Sequence, residues 1–173
     1  MPAENLTERH LLLFGTIVQW FARYERLMAE AMARLAGVDP TSVALMTREL
    51  RFEEKRRAFL NILRYRKVPI DQYDRVCEYL RVPHALSALR DNIVHATWAA
   101  GHHANSVQPD WVLNLPPNVQ PSLGGVDAEF IKGQEDKIGY TLDDLAEAAR
   151  TLALNYSALA SYVREVRPTA SAR

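Results

Sequence analysis

Apolar residues recur every three or four positions over long stretches of the chain, and this spacing predicts amphipathic helices. The longest stretch covers residues 7–36, with Thr7 as the expected N-cap and Gly37 as the expected end. A second apolar row widens its buried face, so this helix is expected to pack on more than one side. The first row comprises Leu13, Ile17, Trp20, Tyr24, Leu27, Ala31 and Leu35, and the second comprises Phe14, Phe21, Met28 and Met32.

Prolines and capping residues divide the rest of the chain into further helices. Pro40 opens a short helix to about residue 47, and a basic helix over residues 48–67 ends before Pro69. A third helical region is predicted from about residue 71 to about residue 103, with a kink at Pro83. The last helix begins at a capping box formed by Thr141 and Asp144 and continues to about residue 166.

Residues 104–140 contain four prolines and four glycines, which predict a long loop before the last helix. A short hairpin is expected within it, between the segments WVLNL and EFIKG. The predicted fold class is all-α, an up-and-down bundle of four to five helices with this long loop. Residues 1–166 are expected to form a single helical domain, and the polar residues 167–173 a flexible C-terminal tail.

The charge balance of the chain indicates which kinds of binding partner are expected. The 21 basic and 21 acidic residues balance, so the chain as a whole has no long-range attraction to nucleic acid or membrane. Residues 48–90 nevertheless hold eleven basic and six acidic residues, a net of +5, and residues 91–150 hold three and nine, a net of −6. This asymmetry fits either solvated helix faces of different sign or a basic region that meets a polyanion.

Two further features predict a cytoplasmic protein without membrane contact. Cys77 is the single cysteine, which excludes an intrachain disulfide and fits a reducing compartment. The apolar segment near the start lacks the basic flank of a signal sequence, and no apolar run reaches the roughly 18 residues that a membrane span needs.

The segment RDNIVHATW, residues 90–98, places arginine, acid, amide and imidazole side chains within an otherwise apolar predicted helix. On a helical wheel one arc is apolar and faces the core, whereas the opposite stripe carries three histidines and a tryptophan. Such a stripe predicts a partner, which is another helix, another subunit or a ligand. The apolar arc comprises Val82, Leu86, Leu89, Ile93, Ala96 and Ala100, and the histidine stripe comprises His84, Ala88, Asp91, His95, Trp98 and His102.

The residues alone leave three interpretations of this segment open. Asp91 precedes His95 by four positions and can orient its imidazole, and the long Arg90 side chain can reach the same group, which together would form an acid–base site. The same residues can instead have a purely structural role, as hydrogen-bonding partners within the fold. Asp91, His95 and His102 can also converge on a metal, with His84 on the same stripe. Gly-rich phosphate loops and other cofactor motifs are absent from the sequence.

The decapeptide LRDNIVHATW resembles the signature of the HEPN superfamily of helical domains. That signature is an arginine, a polar residue, three further residues and a histidine, which here are Arg90, Asp91, residues 92–94 and His95. Ala96 and Trp98 match the small and aromatic residues that follow the signature. The segments FARYERLMAEAMARLAG and LRFEEKRRAFLNIL are similar to the first two helices of such domains, so the resemblance spans roughly residues 7–103 and the last helix.

The resemblance implies an endoribonuclease that needs neither metal nor cofactor, in a family where many members are toxins or defence proteins. Two copies of the motif would face each other across a homodimer cleft. His95 would act as general base or acid on the ribose 2′-OH, Arg90 would hold the scissile phosphate, and Asp91 would orient the pair. The expected contacts with the RNA substrate are Lys55, Arg56 and His102.

The resemblance also implies the reaction products, a protein partner and an alternative function. The expected products are a 2′,3′-cyclic phosphate and a 5′-hydroxyl, and an antitoxin protein is an expected partner. Other members of the superfamily are catalytically silent, so a non-catalytic helical dimerisation or binding module is the alternative function.

Overall fold

The computed structural model describes residues 6–101, 105–109 and 139–167, and most of these residues are helical. The predicted all-α fold class is therefore confirmed, with a small antiparallel sheet in addition. The elements are α1 (Glu8–Ala36), α2 (Pro40–Met46), α3 (Phe52–Tyr65), α4 (Ile70–Ala85), α5 (Ser87–His95), β1 (Trp98–Ala100), β2 (Ser106–Pro109), β3 (Tyr140–Thr141) and α6 (Leu142–Glu165).

Helix α1 begins and ends where its capping residues predict. The backbone N–H of Thr7 donates to Nδ1 of His10 over 3.2 Å, and the Thr7 hydroxyl lies 2.8 Å from the same nitrogen. His10 therefore takes the place of the glutamate in a capping box. At the other end Gly37 adopts φ 73°, and the N–H groups of Gly37 and Val38 both donate to the carbonyl of Ala33. This left-handed glycine satisfies the last helical carbonyls and reverses the chain.

The predicted basic helix starts later than its charge pattern suggests. Residues 48–51 lie outside α3, and Arg51 is extended with φ −67° and ψ 161°. Its N–H donates to the carboxylate of Glu54 over 2.7 Å, which fixes the helix start one residue further on, at Phe52. The Asp39 side chain caps α2 in a similar way, by accepting from the N–H of Ser42 over 2.8 Å.

The long helical region predicted from about residue 71 to about residue 103 is helical up to His95, with a break after Ala85, and the prediction is wrong beyond His95. Pro83 lies inside the last turn of α4, and a separate short helix, α5, begins at Ser87 and ends at His95. Trp98–Ala100 then form strand β1, which pairs antiparallel with β2. The backbone groups of this segment therefore bond to a neighbouring strand instead of to the preceding turn, so the histidine stripe does not continue past His95.

The sheet has the strand order β1-β2-β3, with both pairs antiparallel. Trp98, Ala100, Val107 and Tyr140 share one face, since Ala100 and Tyr140 both lie opposite Val107. Both strands β2 and β3 fall at the ends of the predicted loop over residues 104–140. The expected hairpin between WVLNL and EFIKG lies outside the described residues, as do residues 168–173 of the expected tail.

Helix α6 confirms the predicted capping box. The N–H of Thr141 donates to Asp144 over 3.0 Å, and the N–H of Asp144 donates to the Thr141 hydroxyl over 3.1 Å. The two side chains thereby satisfy donors that the first helical turn leaves without intrahelical partners.

The chain separates into two compact units, each assembled from two segments. The sheet unit comprises residues 1–18 and 88–149, and the hairpin unit comprises residues 19–87 and 150–173. In the sheet unit, the indole of Trp98 packs 4.5 Å from the Phe14 ring and 6.1 Å from the Tyr140 ring, between centroids. Through these aromatic contacts the N-terminal part of α1 packs against one face of the sheet.

In the hairpin unit, α3 and α4 run antiparallel. Glu53 at the start of α3 lies beside His84 near the end of α4, whereas Arg64 near the end of α3 covers the ring of Tyr73. The core of this unit is apolar and fully enclosed. Its largest fully buried side chains are Phe21, Tyr24, Met28, Met32, Phe59, Leu63, Leu80, Leu152 and Leu159.

Candidate active site on helix α5

The three motif residues all lie on α5, in the sheet unit. Leu89 is the buried residue of this helix and anchors it, with 5% of its surface exposed. Asp91 and His95 are exposed one turn apart, and Arg90 is partly buried next to the anchor. Burial of Leu89 therefore turns the acid and the imidazole outward.

Arg90 and Asp91 form an ion pair within α5. Nη1 of Arg90 donates to Oδ1 of Asp91 over 2.8 Å, and the two side chains are 25% and 53% exposed. An acid this exposed is screened by water, so the pair holds the guanidinium in place without adding much to stability. The structural interpretation of Asp91, as the partner of Arg90, matches this contact.

His95 is the last residue of α5 and its side chain is exposed. Within the described residues, none of the hydrogen bonds or ion pairs involves its imidazole. An imidazole can act as a general acid or a general base towards a group within hydrogen-bond reach. The chemistry open to this side chain is thus proton transfer to a group that approaches from outside.

The expected RNA contacts are distributed differently from the motif. Lys55 and Arg56 lie on α3 in the hairpin unit, and His102 lies outside the described residues. The ammonium of Lys55 is paired with the carboxylate of Glu25, and only 12% of the Lys55 side chain is exposed. The Arg56 guanidinium holds Glu53 with two hydrogen bonds of 2.8 and 2.7 Å. Both cations therefore already have carboxylate partners.

Glu53 is the centre of a polar cluster that the sequence did not single out. Besides Arg56, its carboxylate lies 2.8 Å from Nδ1 of His84 and 4.0 Å from Nε of Arg57. The His84 contact is within ion-pair distance but lacks hydrogen-bond alignment, so Nδ1 of His84 has no hydrogen-bond partner among the described residues. The histidine stripe predicted a partner for His84, and this partner is Glu53 of the neighbouring helix α3.

The electrostatics of this cluster keep Glu53 ionised. Burial alone would raise the pKa of Glu53, but the hydrogen bonds from Arg56 and the positive charges of Arg56, His84 and Arg57 outweigh it and lower the pKa. The hydrogen bond to Glu53 likewise raises the pKa of Arg56. The cluster therefore ties α3 to α4 as a set of compensated charges.

The third interpretation was a metal held by Asp91, His95 and His102 on one helix face, with His84 on the same stripe. Asp91 and His95 share α5, which ends at His95, and His102 lies outside the described residues. His84 belongs to α4, where it faces Glu53. Among the residues that the structure describes, no group of three His, Cys, Asp or Glu side chains is arranged to hold a metal ion.

A cleft in the hairpin unit was also missed by the sequence reasoning. It is lined by Arg23, Arg26, Leu27, Glu30 and Tyr156, from α1 and α6. The signal available in the sequence was the spacing of Trp20, Arg23 and Arg26, which places an aromatic ring and two cations on neighbouring turns of α1.

The chain matches no protein-family profile, no curated protein and no solved structure. The likeness to HEPN domains therefore rests on the motif and its position in the helix order. In the described part of the chain, every helix is too short or too polar to cross a bilayer.

Proposed function

We propose that the protein is a HEPN-like, metal-independent endoribonuclease whose active site is completed by a second copy of the chain. The observation that carries the proposal is the exposed His95 at the end of α5, five residues after Arg90, whose guanidinium is held by Asp91. A general base has to be within reach of the substrate proton, and an imidazole enclosed by its own core could not be.

The reaction that suits these groups is internal transesterification of RNA. The imidazole of His95 takes the proton of a ribose 2′-OH, and the 2′ oxygen attacks the adjacent phosphorus. The bond between phosphorus and the 5′ oxygen breaks, and the leaving oxygen receives a proton from the partner's His95. Arg90 stabilises the additional negative charge on the phosphate in the transition state. The products are a 2′,3′-cyclic phosphate and a 5′-hydroxyl.

A single His95 cannot be base and acid at the same moment, which is why a homodimer is part of the proposal. In a two-fold interface, identical residues close to the axis face each other, so the same motif from two chains supplies both the base and the acid. Lys55 and Arg56 do not enter the mechanism, since both are already paired with carboxylates.

The test is RNA cleavage by the purified protein in EDTA, with structured and single-stranded RNAs as substrates. We expect fragments with 2′,3′-cyclic phosphate ends, and a loss of at least about a hundredfold in rate for His95→Ala, as is typical when a general acid–base group is removed. His84→Ala is the matched control, because His84 faces Glu53 in the other unit and should leave the rate unchanged. A wild-type protein that leaves every RNA intact, or a His95→Ala variant that cuts at the wild-type rate, would contradict the proposal.

The non-catalytic module is the second candidate, and the Arg90–Asp91 pair favours it, because the acid serves the arginine and not the histidine. It predicts that His95→Ala and Arg90→Ala weaken self-association or lower the melting temperature while no activity is lost. Sedimentation and thermal melts of these variants, run beside the cleavage assay, separate the two candidates.

A further inference from the structure

A cleft of about 350 Å³ lies between α1 and α6 within the hairpin unit. Arg23, Arg26, Leu27 and Glu30 line one wall, and Tyr156 lines the other. The cleft combines three chemical groups: the two guanidinium groups of Arg23 and Arg26, the Glu30 carboxylate that is bonded to Arg26, and an apolar and aromatic surface from Leu27 and Tyr156. A ligand that fits all three groups has an anionic group, a planar group and a hydrogen-bond donor.

The arginine part of the cleft is partly preorganised. The guanidinium carbon of Arg23 lies 4.5 Å from the centre of the Trp20 ring, and that ring lies 5.5 Å from Tyr156. This cation–π contact restricts the arginine through the ring and uses no hydrogen-bond acceptor. A stacked arginine is therefore ready to bind two oxygens of one phosphate.

Arg26 adds a second charge from the same side of α1. Its side chain is 82% exposed, and its Nε donates to Oε1 of Glu30 over 2.8 Å. The bond uses Nε, so both terminal amino groups can still donate to an anion. Glu30 in turn keeps its second carboxylate oxygen for a donor on the ligand.

The aromatic wall is fixed by its neighbours. The Tyr156 ring meets Tyr24 edge to face, with 5.3 Å between centroids and 86° between planes. Tyr24 is fully buried, and its hydroxyl is held by the Leu152 carbonyl and the Asn155 side chain at 3.0 and 2.8 Å. A base that stacks on Tyr156 would therefore meet a ring that does not have to be ordered first.

We propose that this cleft binds a nucleoside monophosphate unit, either free or as one nucleotide of single-stranded RNA. The phosphate contacts Arg23 and Arg26, the base packs on Tyr156 and Leu27, and Glu30 accepts a hydrogen bond from a ribose hydroxyl. Stacking of unpaired bases on aromatic rings beside cationic side chains is the general basis of such recognition. The proposal does not require α5 to be catalytic.

Isothermal titration of the full chain tests this assignment, with the His95→Ala variant used so that no RNA is cut. The probes are 5′-AMP, adenosine, inorganic phosphate, a single-stranded oligoadenylate and an RNA duplex. We expect 5′-AMP to bind at least about tenfold more tightly than adenosine or phosphate, since each lacks one of the two recognised parts. A duplex should bind more weakly than the single strand, because its bases are already stacked and paired.

The two sources of the ligand give different results. If the oligoadenylate binds much more tightly than 5′-AMP, the cleft holds a strand of RNA, and equal affinities identify a free nucleotide. The proposal is overturned if phosphate or adenosine binds as tightly as 5′-AMP, if the duplex binds as tightly as the single strand, or if none of the probes binds.

Variants localise the binding. Arg23→Ala and Arg26→Ala should each weaken 5′-AMP binding about tenfold, and Arg23→Lys should weaken it too because lysine cannot donate in a planar fork. Arg81→Ala is the matched control, since Arg81 is 73% exposed in the same unit and lies 3.9 Å from Glu78. Unchanged affinity in Arg23→Ala and Arg26→Ala, with melting temperatures equal to that of the control, would place the ligand elsewhere and refute the assignment.

Discussion

Of the three motif side chains on α5, Arg90 and Asp91 pair with each other, whereas the imidazole of His95 is exposed. Arg90 and Asp91 bond to each other, so the negative charge next to the arginine partly neutralises it until a phosphate arrives. A phosphate that binds Arg90 has to compete with Asp91, and the exposed position of the acid lets water take over its solvation. His95 has no such competition within the described residues, which suits a group that transfers protons.

Gly101 lies against Ser106 of strand β2 with no room for a side chain. A Cβ at this position would overlap the Ser106 hydroxyl and lie 3.0 Å from the Ser106 Cβ and 3.1 Å from its carbonyl carbon. Ser106 is fully buried, so the strand has little room to move. We expect Gly101→Ala to lower the free energy of unfolding by about 1–3 kcal/mol, as overpacking does. Urea titration followed by circular dichroism measures the change.

Gly15→Ala is the matched control for that substitution. Gly15 lies inside α1, where no atom of the described residues beyond its own helix is within 4 Å of an added Cβ. Alanine should raise the stability by about 0.5–1 kcal/mol, because glycine is a poor helix former. Equal effects of the two substitutions, in either direction, would show that the tight contact at Ser106 is absent.

Tyr24 links stability to pH. Burial raises its pKa above the ordinary value of about 10, and the charge of Tyr156 raises it further. While the phenol is protonated in both the folded and the unfolded chain, its contribution to the free energy of unfolding is fully present. Above about pH 10 the unfolded chain ionises first, so this contribution is lost as the pH rises.

The variant Tyr24→Phe isolates this effect. It should cost about 1 kcal/mol at neutral pH, through the lost hydrogen bonds to Leu152 and Asn155. The deficit relative to the wild type should shrink between about pH 10 and 11, because phenylalanine does not ionise. Unfolding titrations at several pH values measure both curves, and parallel curves would contradict the role given to this hydroxyl.

At the scale of elements, the ends of helices were predictable because a few local residues determine them. Gly37 at φ 73°, the Thr141–Asp144 box and the break before Pro69 act through bonds within four or five residues. The three strands were not predictable, since each has only two to four residues and shows no alternation of apolar and polar positions. Their pairing joins residues far apart in the chain, such as Val107 and Tyr140.

The candidate site was predictable only in part, for the same reason. The turn-to-turn relation of Asp91 and His95 on one helix is local, and the structure has both on α5. The contacts that occupy Lys55, Arg56 and His84 involve Glu25 and Glu53, on helix faces whose pairing no local pattern specifies. Long-range packing therefore decided which charged residues are already paired and which are exposed.

The first turn of α6 offers a test of capping at the element scale. Asp144→Ala removes the acceptor for the N–H of Thr141 and should lower the free energy of unfolding by about 1 kcal/mol. Asp143→Ala changes the same charge one residue earlier, where the side chain is exposed, and should cost only about 0.3–0.5 kcal/mol through the helix dipole. Thermal melts of both variants should therefore differ, and coincident melts would contradict the capping role.

At the scale of the whole molecule, the two units carry different chemistry on different segments. The sheet unit holds the α5 motif, and the hairpin unit holds the cleft with Arg23 and Arg26 as well as the Glu53 cluster. A chain with no net charge can in this way still offer a local cationic site, because its charges are unevenly distributed along the chain. Lys55 and Arg56 of the hairpin unit are paired with acids, in contrast to Arg23 on the cleft wall, which packs on the Trp20 ring.

Self-association through α5 is the property of the whole molecule on which the proposed ribonuclease depends. Val94 precedes His95 and is 45% exposed, so an isologous contact around the two imidazoles would bury both copies of it. Val94→Glu should then weaken the dimer by at least about a hundredfold, because a buried unpaired carboxylate is costly and two of them would face each other. Val38→Glu introduces the same charge at a valine that is 49% exposed in the hairpin unit, outside α5, and should leave the dimer intact. Sedimentation equilibrium over a range of protein concentrations compares the two variants with the wild type. A monomeric wild type, or a Val94→Glu variant that associates as well as Val38→Glu, would remove the second imidazole from the reaction and with it the proposed mechanism.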